Sequence, residues 1–269
     1  GDVNGDGLAD LLLGDEEANS NAGAAYVFLG RATAGVATSP TLTLAPPDTG
    51  PNRFGTAVAS AGDVNGDGYG DVIVGASRTG DSSIGSFDTG RAFLYLGGPS
   101  GLAATPATRI NSPTPIGGLF GATAAGVGDV NGDGYADVIV GAPGRTPMTT
   151  MTGVNGQVLV YLGGPGGLST THDRYLLCPE PYAIYFAEAV TSAGDLNGDG
   201  YGDVAVSGRG ANNVRDRVFV YHGGPSGVPA TPTLIFARPG NTVEQGNDDS
   251  GFGMTLANAG DFNGDGFPD

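Results

Sequence analysis

The stretch that decides the fold is Asp129-Val-Asn-Gly-Asp-Gly-Tyr-Ala-Asp137, which runs directly into the apolar segment Val138-Ile-Val-Gly-Ala-Pro143. The nine-residue acidic part recurs with small changes at 2–10, 63–71, 195–203 and 261–269. Successive copies begin 61, 66, 66 and 66 residues apart. Such regular spacing predicts one structural unit that is repeated along the whole chain.

Each acidic loop is accompanied by four apolar segments in a fixed order. A Phe-Gly pair and a run of small residues come before the loop, as in 120–128, and an apolar run follows it, as in 138–143. A third segment ends in glycines, as in 158–165, and a fourth is shorter, as in 41–45. This order predicts four short antiparallel strands per repeat and no helix.

The predicted fold class is all-β, a β-propeller of four-stranded antiparallel blades that carry the acidic loops in their hairpins. Four strands cannot bury both faces of their sheet alone, and stacking the sheets around an axis solves this problem. Small side chains at Ala57, Ala59 and Ala61 suit the crowded innermost strand. A solenoid is the alternative architecture, although it uses shorter repeats.

The composition narrows the possible functions. The 269 residues include 51 Gly and 18 Pro, yet 39% are hydrophobic, so tight turns explain the glycines better than disorder does. The net charge of −17 disfavours nucleic-acid binding, because an acidic surface repels a phosphate backbone. No apolar run is long enough for a membrane-spanning helix, so we expect no membrane insertion. Cys178 is the only cysteine, and it can be interpreted either as a small buried core residue or as a reactive thiol.

The acidic loop has the ligands of a hard divalent cation. Carboxylates stand at positions 1, 5 and 9, an amide stands at position 3, and glycine at position 6 permits a sharp turn. Oxygen ligands at this density favour Ca²⁺, and position 7 can contribute only its main-chain carbonyl. The predicted metal residues are Asp2, Asn4, Asp6, Leu8, Asp10, Asp63, Asn65, Asp67, Tyr69, Asp71, Asp129, Asn131, Asp133, Tyr135, Asp137, Asp195, Asn197, Asp199, Tyr201, Asp203, Asp261, Asn263, Asp265, Phe267 and Asp269.

Two other interpretations of the loop are weaker. An EF-hand would need Glu at position 12 and flanking helices, but position 12 is Leu13, Val74, Val140 or Val206. A metal-free Asp/Asn/Gly turn would not require identical carboxylate spacing in five copies. The loops hold 15 of the 28 acidic residues, and such crowded like charges repel without a cation. We therefore expect four to five Ca²⁺ ions, and five would change the net charge from −17 to −7.

The combination of Phe-Gly, the acidic loop and Gly141-Ala142-Pro143 resembles the FG-GAP repeat of integrin α-subunit propellers and their bacterial relatives. The resemblance covers the whole chain. It implies a seven-bladed propeller with calcium between the first and second strands of a blade. It also implies that ligands bind on the opposite face, through the loops that join strand two to three and strand four to the next blade.

The chain departs from this pattern in several places. Gly-Ala-Pro is intact once, since 75–77 reads Gly-Ala-Ser and 207–209 reads Ser-Gly-Arg. About four repeats are present, with units starting near 2, 63, 129, 195 and 261, and both ends fall inside a repeat. We treat residues 1–269 as one propeller region, and we expect part of a larger ring rather than a closed four-bladed one.

The expected function is an extracellular binding or adhesion module for a protein or glycan ligand. The candidate recognition loops are 46–53, 78–91, 111–119, 144–157, 178–185, 209–217 and 238–251. We expect no enzyme, because no hydrolase elbow or phosphate-binding loop is present and His172 lies in a turn that we predict to be exposed. Alternatives are the propeller portion of a secreted hydrolase or lyase, or a structural spacer. The weak affinity expected of exposed calcium loops favours an extracellular location.

Overall fold

The computed structural model describes residues 1–33, 35–78, 89–113, 118–144, 156–179, 183–210, 216–239 and 251–264. A single helical turn, α1 (Ala18–Asn21), has left-handed backbone angles at Asn19 and Ser20, with φ of 53° and 61°. All other elements in these ranges are strands: β1 (Leu11–Asp15), β2 (Ala24–Phe28), β3 (Gly30–Arg31), β4 (Gly35–Val36), β5 (Leu42–Leu44), β6 (Phe54–Gly62), β7 (Asp71–Ala76), β8 (Arg91–Tyr95), β9 (Thr108–Asn111), β10 (Thr123–Gly128), β11 (Asp137–Ala142), β12 (Gln157–Tyr161), β13 (Arg174–Leu177), β14 (Ala183–Gly194), β15 (Asp203–Gly210), β16 (Arg217–Tyr221) and β17 (Leu234–Ala237).

The strands form successive antiparallel sheets in chain order. Three sheets have four strands each, β6-β7-β8-β9, β10-β11-β12-β13 and β14-β15-β16-β17. The first sheet has the order β1-β2-β5, and a small β3-β4 ribbon projects from it. The prediction of an all-β chain with four-stranded antiparallel units is therefore confirmed. The ribbon is an addition that the repeat pattern did not predict.

The acidic loops 63–71, 129–137 and 195–203 close the hairpin between the first and second strands of a sheet, whereas 2–10 leads into β1. Asp71 pairs with Gly62, Asp137 with Gly128 and Asp203 with Gly194, and a register shift precedes each of these pairs. The three glycines have positive φ between 72° and 77°, which an L side chain rarely adopts. The strand order then places the end of β7, the start of β8 and the end of β9 at the other end of the sheet.

The hydrophobic core lies between neighbouring sheets. Phe54, Phe120 and Phe186, the aromatic residues of the Phe-Gly pairs, are fully buried in three separate clusters. The Phe186 ring lies 5.7 Å from that of Phe219 in its own sheet, and it shares a cluster with Val158 and Leu176 of the preceding sheet. Burying one such ring removes a large apolar area from water, so these residues fasten each sheet to the one before it.

Glycines bring the backbones of adjacent sheets into direct contact. A Cβ atom at Gly75 would lie 1.9 Å from the carbonyl oxygen of Gly121, and one at Gly14 would lie 2.1 Å from that of Gly55. No side chain fits in such a space. Gly75, the glycine of the Gly-Ala-Ser variant of the motif, thus faces the glycine of the next Phe-Gly pair, whereas a Cβ at Gly141 of the intact motif would lie 2.1 Å from Thr123 Oγ1.

The segment 252–260, expected to be the first strand of the last repeat, forms no strand among the described residues. Phe252 and Leu256 pack partly against the fourth sheet. Ser207 stands where Gly75 and Gly141 stand in the other units, and Asp216 stands where Gly90 and Gly156 stand. These larger residues prevent the close backbone contact, and the Phe252 amide instead donates to Asp216 Oδ2 at 3.2 Å.

The strands β1, β6, β10 and β14 line an open depression of about 460 Å³. Its lining includes Gly14, Thr56, Ala57, Ala124 and Met254. Small side chains therefore do occupy the inner strands, as the sequence predicts. Within the described part of the chain, no helix is long and apolar enough to cross a membrane.

Candidate functional site

The second acidic loop, 63–71, is wound by hydrogen bonds to its own carboxylates. Asp63 accepts the amide N–H groups of Gly66 at 2.7 Å and Gly68 at 2.8 Å. Asp67 accepts the amide of Tyr69 at 3.0 Å, and both glycines have positive φ. The alternation of acidic residues and glycines thus dictates a tight turn whose carboxylates face inward.

The other loops repeat this geometry. The amide of Gly7 donates to Asp2 at 2.7 Å, that of Gly134 donates to Asp129 at 2.7 Å, and that of Gly200 donates to Asp195 at 2.8 Å. In the fifth loop the amide of Gly264 donates to Asp261 at 2.6 Å. Asp265, Phe267 and Asp269 lie outside the described residues. The structure therefore describes four complete copies of the loop.

The aspartate at position 9 has a second partner that the sequence analysis missed. Asp71 is fully buried and accepts the amides of Val64 at 2.9 Å and Gly97 at 2.9 Å. Gly97 follows the third strand, so this carboxylate ties the loop to the turn after β8. The same bond joins Asp10 to Gly30, Asp137 to Gly163 and Asp203 to Gly223. The Gly-Gly-Pro segment that recurs after the third strand is the sequence feature that could have predicted this bond.

Burial disfavours the ionised form of the aspartates at position 9. Loss of solvation, with a smaller contribution from the neighbouring loop carboxylates, raises the pKa of Asp71 to about 6 and that of Asp137 to about 7, although hydrogen bonds from main-chain amides act in the opposite direction. Desolvation also raises the pKa of Asp203. In contrast, hydrogen bonds from the loop amides, the largest from Gly7, lower the pKa of Asp2. A cation next to these groups would offset both the desolvation and the like-charge repulsion.

The carboxylate, amide and carbonyl oxygens of the loops are the ligand types that a calcium ion prefers. No three acidic side chains among the described residues converge closely enough to hold a metal as they stand. Each carboxylate nevertheless keeps acceptor capacity beyond its bonds to amides, because it has about four lone-pair sites. The described ion pairs join Arg53, Arg91, Arg109 and Arg174 to acids outside the loops. The metal assignment of all the loop residues stays a prediction.

Neighbouring loops are bonded to one another. The amide of Gly70 in loop two donates to the carbonyl of Asp2 in loop one at 2.8 Å. The amide of Ala136 donates to the carbonyl of Asp63 at 3.0 Å, and that of Gly202 donates to the carbonyl of Asp129 at 2.7 Å. The loops therefore lie side by side at one end of the stacked sheets.

The fourth loop has a histidine beside it. His222 directly follows β16, at the place of Leu96 and Leu162 in the preceding units, as the sequence analysis expects of a strand-end substitution. Its Nδ1 lies 3.3 Å from the Nδ2 of Asn197, the amide residue at position 3 of loop four. The histidine therefore touches a predicted metal residue, which gives the fourth loop different surroundings.

The opposite end of the sheets is described only in part. Positions 79–88, 114–117, 145–155, 180–182, 211–215 and 240–250 of the candidate recognition loops lie outside the described residues. In the described part, Arg53 Nη1 donates to Glu16 Oε1 at 3.2 Å. Asp48 pairs with both Arg91 and Arg109. These ion pairs fasten the 46–53 connection to the second sheet.

Two residues considered for chemistry are packed side chains. His172, predicted to be exposed, is half-buried because its ring packs against that of Tyr175, with centroids 4.1 Å apart and the planes tilted by 60°. The exposure prediction for His172 is therefore wrong. Cys178 is a partly buried cysteine that packs against the cluster between the third and fourth sheets, which favours the core interpretation.

The geometry defines a class of protein, an all-β repeat chain with an acidic hairpin at the same end of each sheet. Comparison with family models matches the FG-GAP repeat at 54–95 and 120–162 and the FG-GAP-like repeat at 2–74. Together these matches span about half of the chain. The chain belongs to the FG-GAP repeat proteins.

The chain is also similar to integrin α-subunits. It is 38% identical to integrin alpha-IIb of Mus musculus over 156 residues, which is 54% of this chain and 14% of the mouse protein. It is 37% identical to integrin alpha-IIb of Homo sapiens over 60% of this chain and 15% of that protein. It is 34% identical to integrin alpha-PS5 of Drosophila melanogaster, again over 60% of this chain and 15% of that protein. The matched region is thus a small part of each relative.

Proposed function

We propose that residues 1–269 form one FG-GAP β-propeller region that binds Ca²⁺ in its acidic loops and works as an extracellular binding or adhesion module. The repeated loop geometry carries the proposal. In each of the four described loops, carboxylates at positions 1, 5 and 9 accept the same set of main-chain N–H groups, and an amide side chain stands at position 3. The main-chain carbonyl at position 7 completes an oxygen ligand set that suits Ca²⁺.

Calcium in this account has a structural role. The buried aspartate at position 9 joins each loop to the turn after the third strand, and main-chain bonds join each loop to its neighbour. An ion in the loop would neutralise carboxylates whose pKa is raised by burial. Because weak calcium sites fill only at roughly 10⁻⁴–10⁻³ M, an extracellular or cell-surface location follows from the same chemistry.

Recognition is assigned to the end of the sheets opposite the calcium loops. The connections at that end differ in length and composition from one repeat to the next, while the acidic loops are nearly identical. Variable loops on a rigid scaffold are the usual place for binding residues. The similarity to integrin α-subunits favours a protein ligand, and a glycan is the other candidate. We propose no enzymatic activity, no nucleic-acid binding and no membrane insertion.

The test is a binding screen with the purified chain against extracellular-matrix proteins and a glycan array, at about 1 mM Ca²⁺ and again with EGTA. We expect calcium-dependent binding that is weakened by R78A, a substitution in the connection after β7. The matched control R31A replaces an arginine at the calcium-loop side and should leave binding unchanged. Equal loss in both variants would contradict the assigned face, and binding that ignores EGTA would contradict the role of calcium.

A further inference from the structure

We infer that neighbouring calcium loops are coupled through a single shared peptide group, so that occupancy of one loop changes the calcium affinity of the next. This inference rests on the proposed calcium function. The relevant peptide in loop three lies between Tyr135 and Ala136. Its carbonyl belongs to position 7, which is assigned to the ion of loop three. Its N–H donates to the carbonyl of Asp63, the first residue of loop two, at 3.0 Å.

Because a peptide group is planar, its carbonyl and its N–H cannot change direction independently of each other. The carbonyl and the N–H of a peptide group lie in one plane, and the partial double bond between carbon and nitrogen strongly resists twisting of that plane. An ion that fixes the direction of the Tyr135 carbonyl therefore fixes the direction of the Ala136 N–H as well. That N–H in turn positions the main chain of Asp63, whose carboxylate organises loop two.

The side chain at position 7 strengthens the same link. A Cβ atom built at Gly66, in position 4 of loop two, would lie only 2.8 Å from Cε1 of Tyr135. The tyrosine ring of loop three therefore lies directly over the backbone of loop two. Gly5 lies under Tyr69 at 2.8 Å and Gly132 lies under Tyr201 at 2.6 Å in the same way. The glycine at position 4 is required by the ring of the neighbouring loop.

The link repeats along the four described loops. The peptide between Tyr69 and Gly70 joins loop two to loop one, and the peptide between Tyr201 and Gly202 joins loop four to loop three. The sequence of the fifth loop has Pro268 at the corresponding position 8, and proline has no N–H to donate. The fifth loop is therefore an acidic loop of the same chain whose sequence lacks the N–H donor at position 8.

The test measures calcium binding at individual loops by NMR titration of ¹⁵N-labelled protein. The amide signals of Gly66 and Gly68 report on loop two, and that of Gly200 reports on loop four. The variant D133N weakens ion binding in loop three. We expect it to raise the calcium concentration at half-saturation of loop two by about five-fold or more, which is the lower end of ordinary coupling between sites.

A second substitution separates the shared peptide from through-space effects. A136P removes the N–H donor, and A136G is the matched control, because glycine occupies this position at Gly70 and Gly202. In the A136P background, D133N should no longer shift the loop-two midpoint, yet it should still shift that of loop four. In the A136G background it should shift both. Y135A, which keeps the N–H but removes the ring, should reduce the loop-two shift.

The outcomes distinguish the coupling from the calcium function itself. An unchanged loop-two midpoint in D133N, with calcium still bound there, overturns the coupling and leaves the proposed calcium sites intact. An equal shift with and without A136P assigns the effect to charge rather than to the peptide and overturns the link. Glycine amides that do not respond to calcium in the parent chain overturn the proposed calcium function.

Discussion

Replacing Gly121 with alanine tests the close backbone contact between the second and third sheets. Gly121 has a φ of 83°, and an added Cβ would lie 2.2 Å from the carbonyl oxygen of Arg91. To reach even 3.0 Å, the two backbones must separate by about 0.8 Å. Arg91 is held on both sides, by Ala76 and Asn111, so the sheet cannot yield freely. For alanine at this position, the left-handed conformation costs about 1–2 kcal/mol, and the overpacking costs about 1–3 kcal/mol more.

Gly167 provides the matched control for Gly121. It has a similar φ of 88°, but nothing lies within 4 Å of an added Cβ. G167A therefore measures the conformational cost alone, and the difference between the variants measures the contact between sheets. In thermal unfolding with calcium present, we expect G121A to melt roughly 2–12 °C below G167A, at about 2–4 °C per kcal/mol. Equal melting temperatures would refute the account of how these sheets meet.

Three further predictions follow from buried groups. F186A, which empties a fully buried site between the third and fourth sheets, should lower the free energy of unfolding by about 3–5 kcal/mol in urea titrations, and a loss below about 1 kcal/mol would contradict this packing. Y95F should leave stability unchanged or raise it by about 1 kcal/mol in thermal melts, because the buried hydroxyl has no hydrogen-bond partner among the described residues. The third prediction concerns the pH dependence of the calcium-free protein. The raised pKa values of Asp71 (about 6) and Asp137 (about 7) mean that the folded state binds protons more tightly than the unfolded state. Stability from these groups is present below about pH 4 and is lost as the pH rises through 6–7, so melting without calcium should be lower at about pH 8 than at about pH 5. The opposite order would contradict the burial of these carboxylates.

The repeat pattern predicts most of the fold for a clear physical reason. Strand segments, glycine turns and acidic loops are local features, and each recurs often enough to be recognised despite substitutions. Ala187 illustrates the point, because it replaces the glycine of the Phe-Gly pair and yet keeps the left-handed conformation, with a φ of 74°. A local pattern therefore identified the unit even where one residue had changed.

Contacts between units could not be predicted from the pattern of one unit. The bond from the Ala136 amide to the Asp63 carbonyl and the Tyr135 ring over Gly66 join residues that are distant in sequence. The missing strand at 252–260 depends on Ser207 and Asp216, which occupy positions where other units have glycine. Only the arrangement of the sheets shows that those glycines are needed for close approach.

The central claim is that the acidic loops are structural calcium sites. The most direct measurement is the melting temperature in excess Ca²⁺ and again after EGTA, with the metal content of the purified chain counted. Because a ligand that binds only the folded state stabilises it by mass action, about 2.7 kcal/mol per site at a hundred times its dissociation constant, we predict a large calcium-dependent rise and four to five bound ions. An unchanged melting temperature with no bound calcium would contradict the account.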